Sequence, residues 1–598
     1  MAPQPENPPA GRQSSGSGSA DGHTEKMPPA VQDTPIVADE PKPHLHAKTY
    51  LAVFAVCLVY FCQIYAVVGA GAASLLISSL PSTLFPLTNT IAQTLNNTQS
   101  SVWLSSSIAI GTAVLSPIFS QSADYWGRRY FLVISTLLGA AGCVIVARAS
   151  SMGMAIAGTT VISISFGAQP LLHAVSSEVL PRRYRSWGQA ADLVSNAFGG
   201  ITALLVGGAF VRTANVPSEG FRNFWYLGTG LYFVAAVLCF VLYDPPATER
   251  ETSLGFGEKL KKLDWVGYGL LTGGIVLFCV GLSWSQNPFP WSDPHTSATF
   301  AVGLALLVGL GVYETWVKKD GMLHHGLFQN RNFPIALATL FCEGLAFFAA
   351  NNYFAFQVGV LYEGDALMVG LRYSITMFVS IFSAVGAGLY CAKTKKVRWI
   401  TVSSFLLFVV FFACMATTTP QTNVNTWGYP VFLGLALGMS LVSLITLAQL
   451  STQPDLIAIT SGLVIGVRSL GGSVGLAIYN ALFSDVMHHL GDNIAGATIP
   501  LGLPPSSVGP FIGALTAHDD AALVKIPGVT PQIIGAGAEA LLGTFSMAFK
   551  HVWIAAACFV ALAAIIAVFI KDPTSEFNMH IDNPIEKEED LYSQSEKA

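Results

Sequence analysis

The sequence predicts an all-α polytopic membrane protein with fourteen transmembrane helices, and three observations lead there. Of its 598 residues, 52% are hydrophobic and 11% charged, where a soluble chain carries about a quarter charged. A water-soluble enzyme of this size could not cover its surface with so few charges. Lys48 and Asp124 bracket 75 consecutive residues without Asp, Glu, Lys or Arg, more than three times the roughly 20 residues that one crossing needs. The long apolar runs lack the alternation of a barrel strand, and in lipid every backbone polar group must be satisfied within the chain, so helices remain. A net charge of -5 with dispersed basic residues gives nucleic-acid binding no support.

Residues 1–48 hold no aromatic side chain and are dense in Pro, Gly and Ser. They cannot bury enough apolar surface to offset ordering entropy and read as a disordered cytoplasmic tail. No short basic leader precedes the first apolar run, so the first helix itself serves as the insertion signal. Apolar runs then recur at 49–75, 101–122, 130–148, 153–177, 187–211, 222–243, 264–284, 298–317, 333–356, 366–391, 398–416, 427–449, 457–484 and 551–570, each long enough to span. A second tail, 572–598, reads as disordered and cytoplasmic as well.

Assigning the loops alternately to two sides gathers Arg128, Arg129, Arg182, Arg183, Arg185, Lys259, Lys261, Lys262, Lys393, Lys395 and Lys396 together, against Arg148, Arg212, Arg222, Lys525 and Lys550 opposite. Basic residues concentrate in cytoplasmic loops, so both termini are expected in the cytoplasm. Of the outer loops, 76–100 carries the sequon Asn96-Asn97-Thr98, a glycosylation acceptor at Asn96, and 485–550 is rich in Gly and Pro, expected to pack on the outer mouth. The nine cysteines fall inside apolar runs without paired spacing. They read as buried free thiols, with no metal or cofactor implied.

The stretch Ser120-Gln121-Ser122-Ala123-Asp124-Tyr125-Trp126-Gly127-Arg128-Arg129 resembles the G-x-L-A-D-R-x-G-R-R signature of the major facilitator superfamily. It matches at Ala, Asp, Gly and both Arg, and departs at the first Gly, the Leu and the first Arg. A tight turn at Gly127 would bring the Asp124 carboxylate and the guanidiniums of Arg128 and Arg129 to the inner helix ends, where ion pairs form and break as the halves rock. Glu178-Val179-Leu180-Pro181-Arg182-Arg183-Tyr184-Arg185 looks like the E-x-x-P-x-x-x-R element of the same family, with Glu178 closing an inner gate onto Arg128 or Arg129 and Arg185 beside it. The half-to-half counterpart, Gly388 to Lys396, has Ala392 where the Asp should stand, so the second gate is expected to be weaker.

Fourteen helices, with Leu263-Asp264-Trp265-Val266-Gly267 opening the seventh, resemble the fourteen-helix drug:proton antiporter branch. Asp124 to Phe131, Phe221 to Tyr226 and Gly466 to Gly472 are most similar to the fungal trichothecene efflux pumps, with the siderophore transporters next. The resemblance implies a major facilitator fold. Two six-helix bundles, 49–244 and 333–571, would be joined through 245–332, which holds a cytoplasmic loop and two linker helices. It also implies alternating access in a plasma membrane, with vacuolar or vesicular membranes as alternatives. One departure is Ala203-Leu204 in the fifth helix, where the branch has Gly-Pro, so the bend there should be milder.

Charge inside a bilayer is costly and asks for a partner, a water-filled cavity or a function. Asp192 and Asn196 lead a polar-to-small stripe on the fifth helix, facing the pathway or held by Arg185. Glu343 on the ninth helix is the first candidate for carrying a proton, with a static bond to a neighbouring helix as the competing reading. Arg468 pairs with a carboxylate, a substrate anion or a helix carbonyl. His173, flanked by Gln169 and Ser177 at four-residue spacing, is a third coupling candidate beside the alternative of hydrogen-bonded packing. Tyr60, Gln63, Gln169, Asn196, Asn351, Tyr353, Gln357 and Arg468 are read as lining a pathway for an amphipathic organic substrate. The expectation is proton-coupled efflux of a toxic metabolite or drug. Siderophore-iron import is the alternative, and a non-transporting sensor is a third reading that the short tails disfavour. No ATP site, hydrolytic triad or obligate protein partner is evident.

Overall fold

The computed structural model describes residues 43, 45–71, 102–213, 217–246, 249–284, 289, 291–318, 321–363, 365–516 and 520–585. The whole first outer loop with its sequon at Asn96, most of the amino-terminal tail and residues 586–598 lie outside the described residues. Among the described residues, fourteen helices are long and apolar enough to cross a membrane and there is no strand. In the first half they are α1 (Ala47–Gly71), α2 (Val102–Trp126), α3 (Arg128–Ala147), α4 (Met152–Glu178), α5 (Arg185–Thr213) and α6 (Pro217–Leu242). A pair follows, α7 (Trp265–Trp284) and α8 (Pro294–Val312). The second half holds α9 (Asn332–Leu361), α10 (Ala366–Thr394), α11 (Arg398–Ala416), α12 (Tyr429–Leu450), α13 (Ile457–His488) and α14 (Pro531–Ala567).

Helix starts are set by local chemistry. Ser151, Asp293, Asp365 and Thr530 each accept a hydrogen bond from the first-turn N–H groups of α4, α8, α10 and α14, donors that would otherwise be left unpaired. Within α4 the register breaks at Ala168, just before Pro170, whose ring carries no N–H and clashes with a continuous ladder. The α5 helix runs unbroken past Ala203-Leu204.

The two halves repeat one packing plan. In the first, α1 packs on α5 and α6, α2 on α4, and α3 on α4 and α6; in the second, α9 packs on α13 and α14, α10 on α12, and α11 on α12 and α14. Each pair in the second list is the first shifted by eight helices. Glycines allow the closest pairs: a Cβ at Gly199 would stand 2.5 Å from the Phe61 carbonyl oxygen of α1, and one at Gly471 would stand 2.2 Å from the Phe341 carbonyl oxygen of α9. Without aqueous hydrophobic driving force, such backbone-to-backbone approach is what holds helices together in lipid. The halves meet along α2–α13 and α5–α10, while α7 pairs with α8 and also touches both α2 and α13. Asp264 caps α7, accepting from the Gly267 N–H at 3.0 Å and the Tyr313 hydroxyl at 3.1 Å. Burial alone would raise its carboxyl, but the Gly267 N–H, a bond shared with Glu314 and the Lys318 charge hold it below the ordinary value.

Two expectations need correction. The last helix starts at Pro531 rather than near 551; Glu539 and Lys550, which interrupt the apolar run, point outward from it. The region read as a long outer loop is therefore largely helical, with Leu490–Thr498 and Val508–Thr516 packed on α14. Nor is the carboxyl-terminal segment disordered through its described part. Residues 572–585 fold back on the loop between α4 and α5, because that loop offers paired arginines and free backbone N–H groups. All nine cysteines are free, with seven buried, Cys414 half-buried and Cys558 exposed.

Candidate functional site

At the basic end of the bundle, Gly127 turns the chain from α2 into α3 at φ 85°, a left-handed conformation that favours glycine. A Cβ there would also stand 2.8 Å from a Glu251 carboxylate oxygen. The turn aims Arg128 at Glu178 and, at 3.3 Å, at Asp124. Arg129 diverges: it pairs with Asp244 at 2.5 Å, donates to the Phe240 carbonyl at 2.6 Å and lies over the Phe240 ring. These groups border a cavity of about 480 Å³ that is rich in carboxylates. Tyr243 lines it, and burial outweighs the opposing Arg128 charge to push its phenol above the ordinary range. Arg185 is 1% exposed and pairs with Asp582 and, at 3.2 Å, with the Gln449 carbonyl. Its partner is therefore the carboxyl-terminal segment, not Asp192.

Deeper in, Asp192 on α5 is wholly buried. One oxygen accepts from the Ser176 hydroxyl at 2.8 Å and lies 3.6 Å from the Cys57 thiol; the other is 3.2 Å from His173 Nδ1. The same Nδ1 lies 2.8 Å from the Gln189 oxygen, and the ring meets Tyr60 edge-on at 5.2 Å. His173 Nε2 has no hydrogen-bond partner among the described residues. From here a polar chain crosses between the halves. Gln189 donates to Ser177 at 2.7 Å, Ser177 donates to Gln449 of α12 at 2.5 Å, and Gln449 donates to Ser461 of α13 at 3.0 Å.

The second buried carboxylate is differently provided for. Arg468 Nε and Nη2 donate to the two oxygens of Glu343 at 2.5 and 3.2 Å, and the guanidinium lies over the Phe347 ring at 4.6 Å. This two-pronged geometry is the strong form of a charged pair. Tyr60 on α1, whose ring meets His173, interacts through its hydroxyl with Asn196 and Gln169 and feels the Arg468 charge.

The remaining predicted pathway residues scatter. Gln63 donates to the Ser165 carbonyl at 2.7 Å, tying α1 to α4. Gln357 is held between Thr418 and the Trp553 indole N–H, a brace from α9 to α14. Tyr353 stands among Phe356, Tyr479 and Phe483, and Asn351 is buried on α9. Sequence reasoning passed over Cys57, Ser176, Gln189, Gln449, Asp244 and Asp582. Gln189 and Ser176, three residues from Asp192 and His173 respectively, carried a usable helical-spacing signal; the others are joined only by the fold. Among the described residues, no group of three or more His, Cys, Asp and Glu side chains could hold a metal ion.

A family profile described as the Major Facilitator Superfamily matches residues 66–476. The chain belongs to the major facilitator superfamily. Its relatives include the efflux pump FUS6 of Gibberella fujikuroi, 24% identical over 85% of this chain and 89% of that protein. The efflux transporter ffsH of Aspergillus flavipes is 26% identical over 79% and 80%, and the trichothecene efflux pump TRI12 of Fusarium sporotrichioides is 21% identical over 83% of each. Among solved structures, a bacterial homologue of the human lysosomal transporter Spinster aligns with TM-score 0.53 at 14% identity, covering 88% of this chain and 98% of the other. The shared fold is thus the facilitator fold. As a facilitator, this protein is a membrane transporter, and the polar chain through Ser177, Gln449 and Ser461 links its two halves.

Proposed function

We propose that this facilitator exports a small amphipathic organic compound, a toxic secondary metabolite, by alternating access driven by an inward flux of protons. Relatives named as efflux pumps, aligned over most of both chains, support the direction. In this reading the basic end faces the cytoplasm with both termini, the moving halves are 49–244 and 333–571, and the plasma membrane is the site of action.

One observation carries the coupling. Asp192 is buried beside His173 with no lysine or arginine bonded to it among the described residues, whereas Glu343 is satisfied by Arg468. A carboxylate bonded directly to an imidazole, with no guanidinium or ammonium fixed between them, is an arrangement through which a proton can be relayed. Asp192 with His173 is therefore the proton site, Glu343 with Arg468 the fixed pair, and Tyr60, Asn196 and Gln169 border the substrate. The test pairs a sensitivity screen of overexpressing and deleted cells, run against toxins and ferric siderophores, with reconstituted vesicles under an imposed pH gradient. Export predicts toxin tolerance with less toxin inside, and Asp192→Asn should abolish pH-driven flux in a folded protein. Accumulation of ferric siderophore would overturn the direction, and undiminished pH-driven flux in Asp192→Asn would overturn the proton site.

A further inference from the structure

The segment after α14 is built as a brace between the halves. It leaves α14 anchored to the second half, where Asp572 accepts the Val397 and Arg398 N–H groups at 2.7 and 2.9 Å and Phe577 joins that half's core. It then crosses to the first half. The Arg182 and Arg183 N–H groups donate to the His580 and Asn578 carbonyls at 2.9 and 2.8 Å, and Asn583 donates to the Glu178 carbonyl at 3.1 Å. Asp582 takes both Arg182, at 2.8 Å, and the buried Arg185, and Ile585 seats in the first half's core.

We infer that residues 574–585 form a latch that holds the basic end of this facilitator closed and must release from the α4–α5 loop before that end can open. The inference rests on the alternating-access reading above. Parting the halves at this end pulls the α4–α5 loop away from α14, and the latch spans that gap through main-chain bonds and a carboxylate shared by two guanidiniums. Parting the halves takes from Arg185 both its Asp582 carboxylate and its Gln449 carbonyl, so the closed arrangement is held until the latch lets go of the loop. The latch sets the resting bias between the two states, a term that a partner or modification acting on this segment could move.

The test uses the full chain in permeabilised membranes and needs no substrate. Ser120 is wholly buried at the α2–α13 seam, where a Cβ on Gly462 would stand 2.6 Å from its hydroxyl. A Ser120→Cys reporter is exposed to a membrane-impermeant maleimide, and labelling at that position is read by peptide mass. Asp582→Asn, and separately a stop after Pro573, should each speed labelling about tenfold, the population shift expected when a charge-assisted tether is lost. Because these variants could misfold, a third is made in the intact chain. Arg183→Cys with Asn578→Cys, oxidised after folding, should suppress labelling, and reductant should restore it. Labelling at the parent rate in the monodisperse loosened variants, or unchanged by the disulfide, would overturn the latch while leaving the transport reading to its own test.

Discussion

Arg468 and Glu343 lie 125 residues apart in sequence and are bonded through two contacts in the interior. Neither can be kept charged there alone. Glu343→Gln should cost about 3–5 kcal/mol by leaving a buried guanidinium uncompensated, and the double variant Glu343→Leu with Arg468→Met should recover most of it; melting of the purified protein measures both. The sequence marked each residue as an anomaly, since a charge in an apolar run stands out, but their pairing depends on how α9 meets α13. The same holds at the basic end. Gly127, Arg128 and Glu178 were readable because a compact turn signature encodes them, whereas Asp582 sits in a stretch whose composition resembles a solvated tail. Only its distant partners, Arg182 and Arg185, give it a structural role.

At the scale of helices, the α1–α5 and α9–α13 seams depend on missing side chains. Gly471→Val places carbon where the Phe341 carbonyl now lies, and should lower the melting temperature and the yield of monodisperse protein by separating α9 from α13. Gly230→Ala and Gly386→Ala, with no atom within 4 Å of the added carbon, should leave both unchanged. Helix number was legible because hydropathy over about 20 residues is a strong signal. The start of α14 was not: Glu539 and Lys550 ended the apolar run while the hydrogen-bond ladder continued through them, their side chains directed away from the bundle. Hydropathy reports where a helix is in oil, not where the helix begins.

For the molecule as a whole, an even number of crossings brings the two chain ends to one side. With the basic end on the cytoplasmic side as proposed, epitope tags on Met1 and Ala598 should both be shielded in sealed cells and both become reachable once the cells are permeabilised; tags reachable from opposite sides would show a miscounted helix. The repeat of one packing plan in two halves was only faintly legible, as Gly388 to Lys396 keeps the basic cluster of the first-half signature and loses its Asp. It becomes plain in which helices touch.

The α7–α8 pair breaks that twofold plan. By resting on both α2 and α13 it screens one of the two seams from surrounding lipid, while α5 and α10 along the other carry Phe198, Phe378 and Phe382 outward. Seen from the side, the bundle thus has one covered seam and one bare one, an asymmetry that the repeated packing of the two halves alone would not produce.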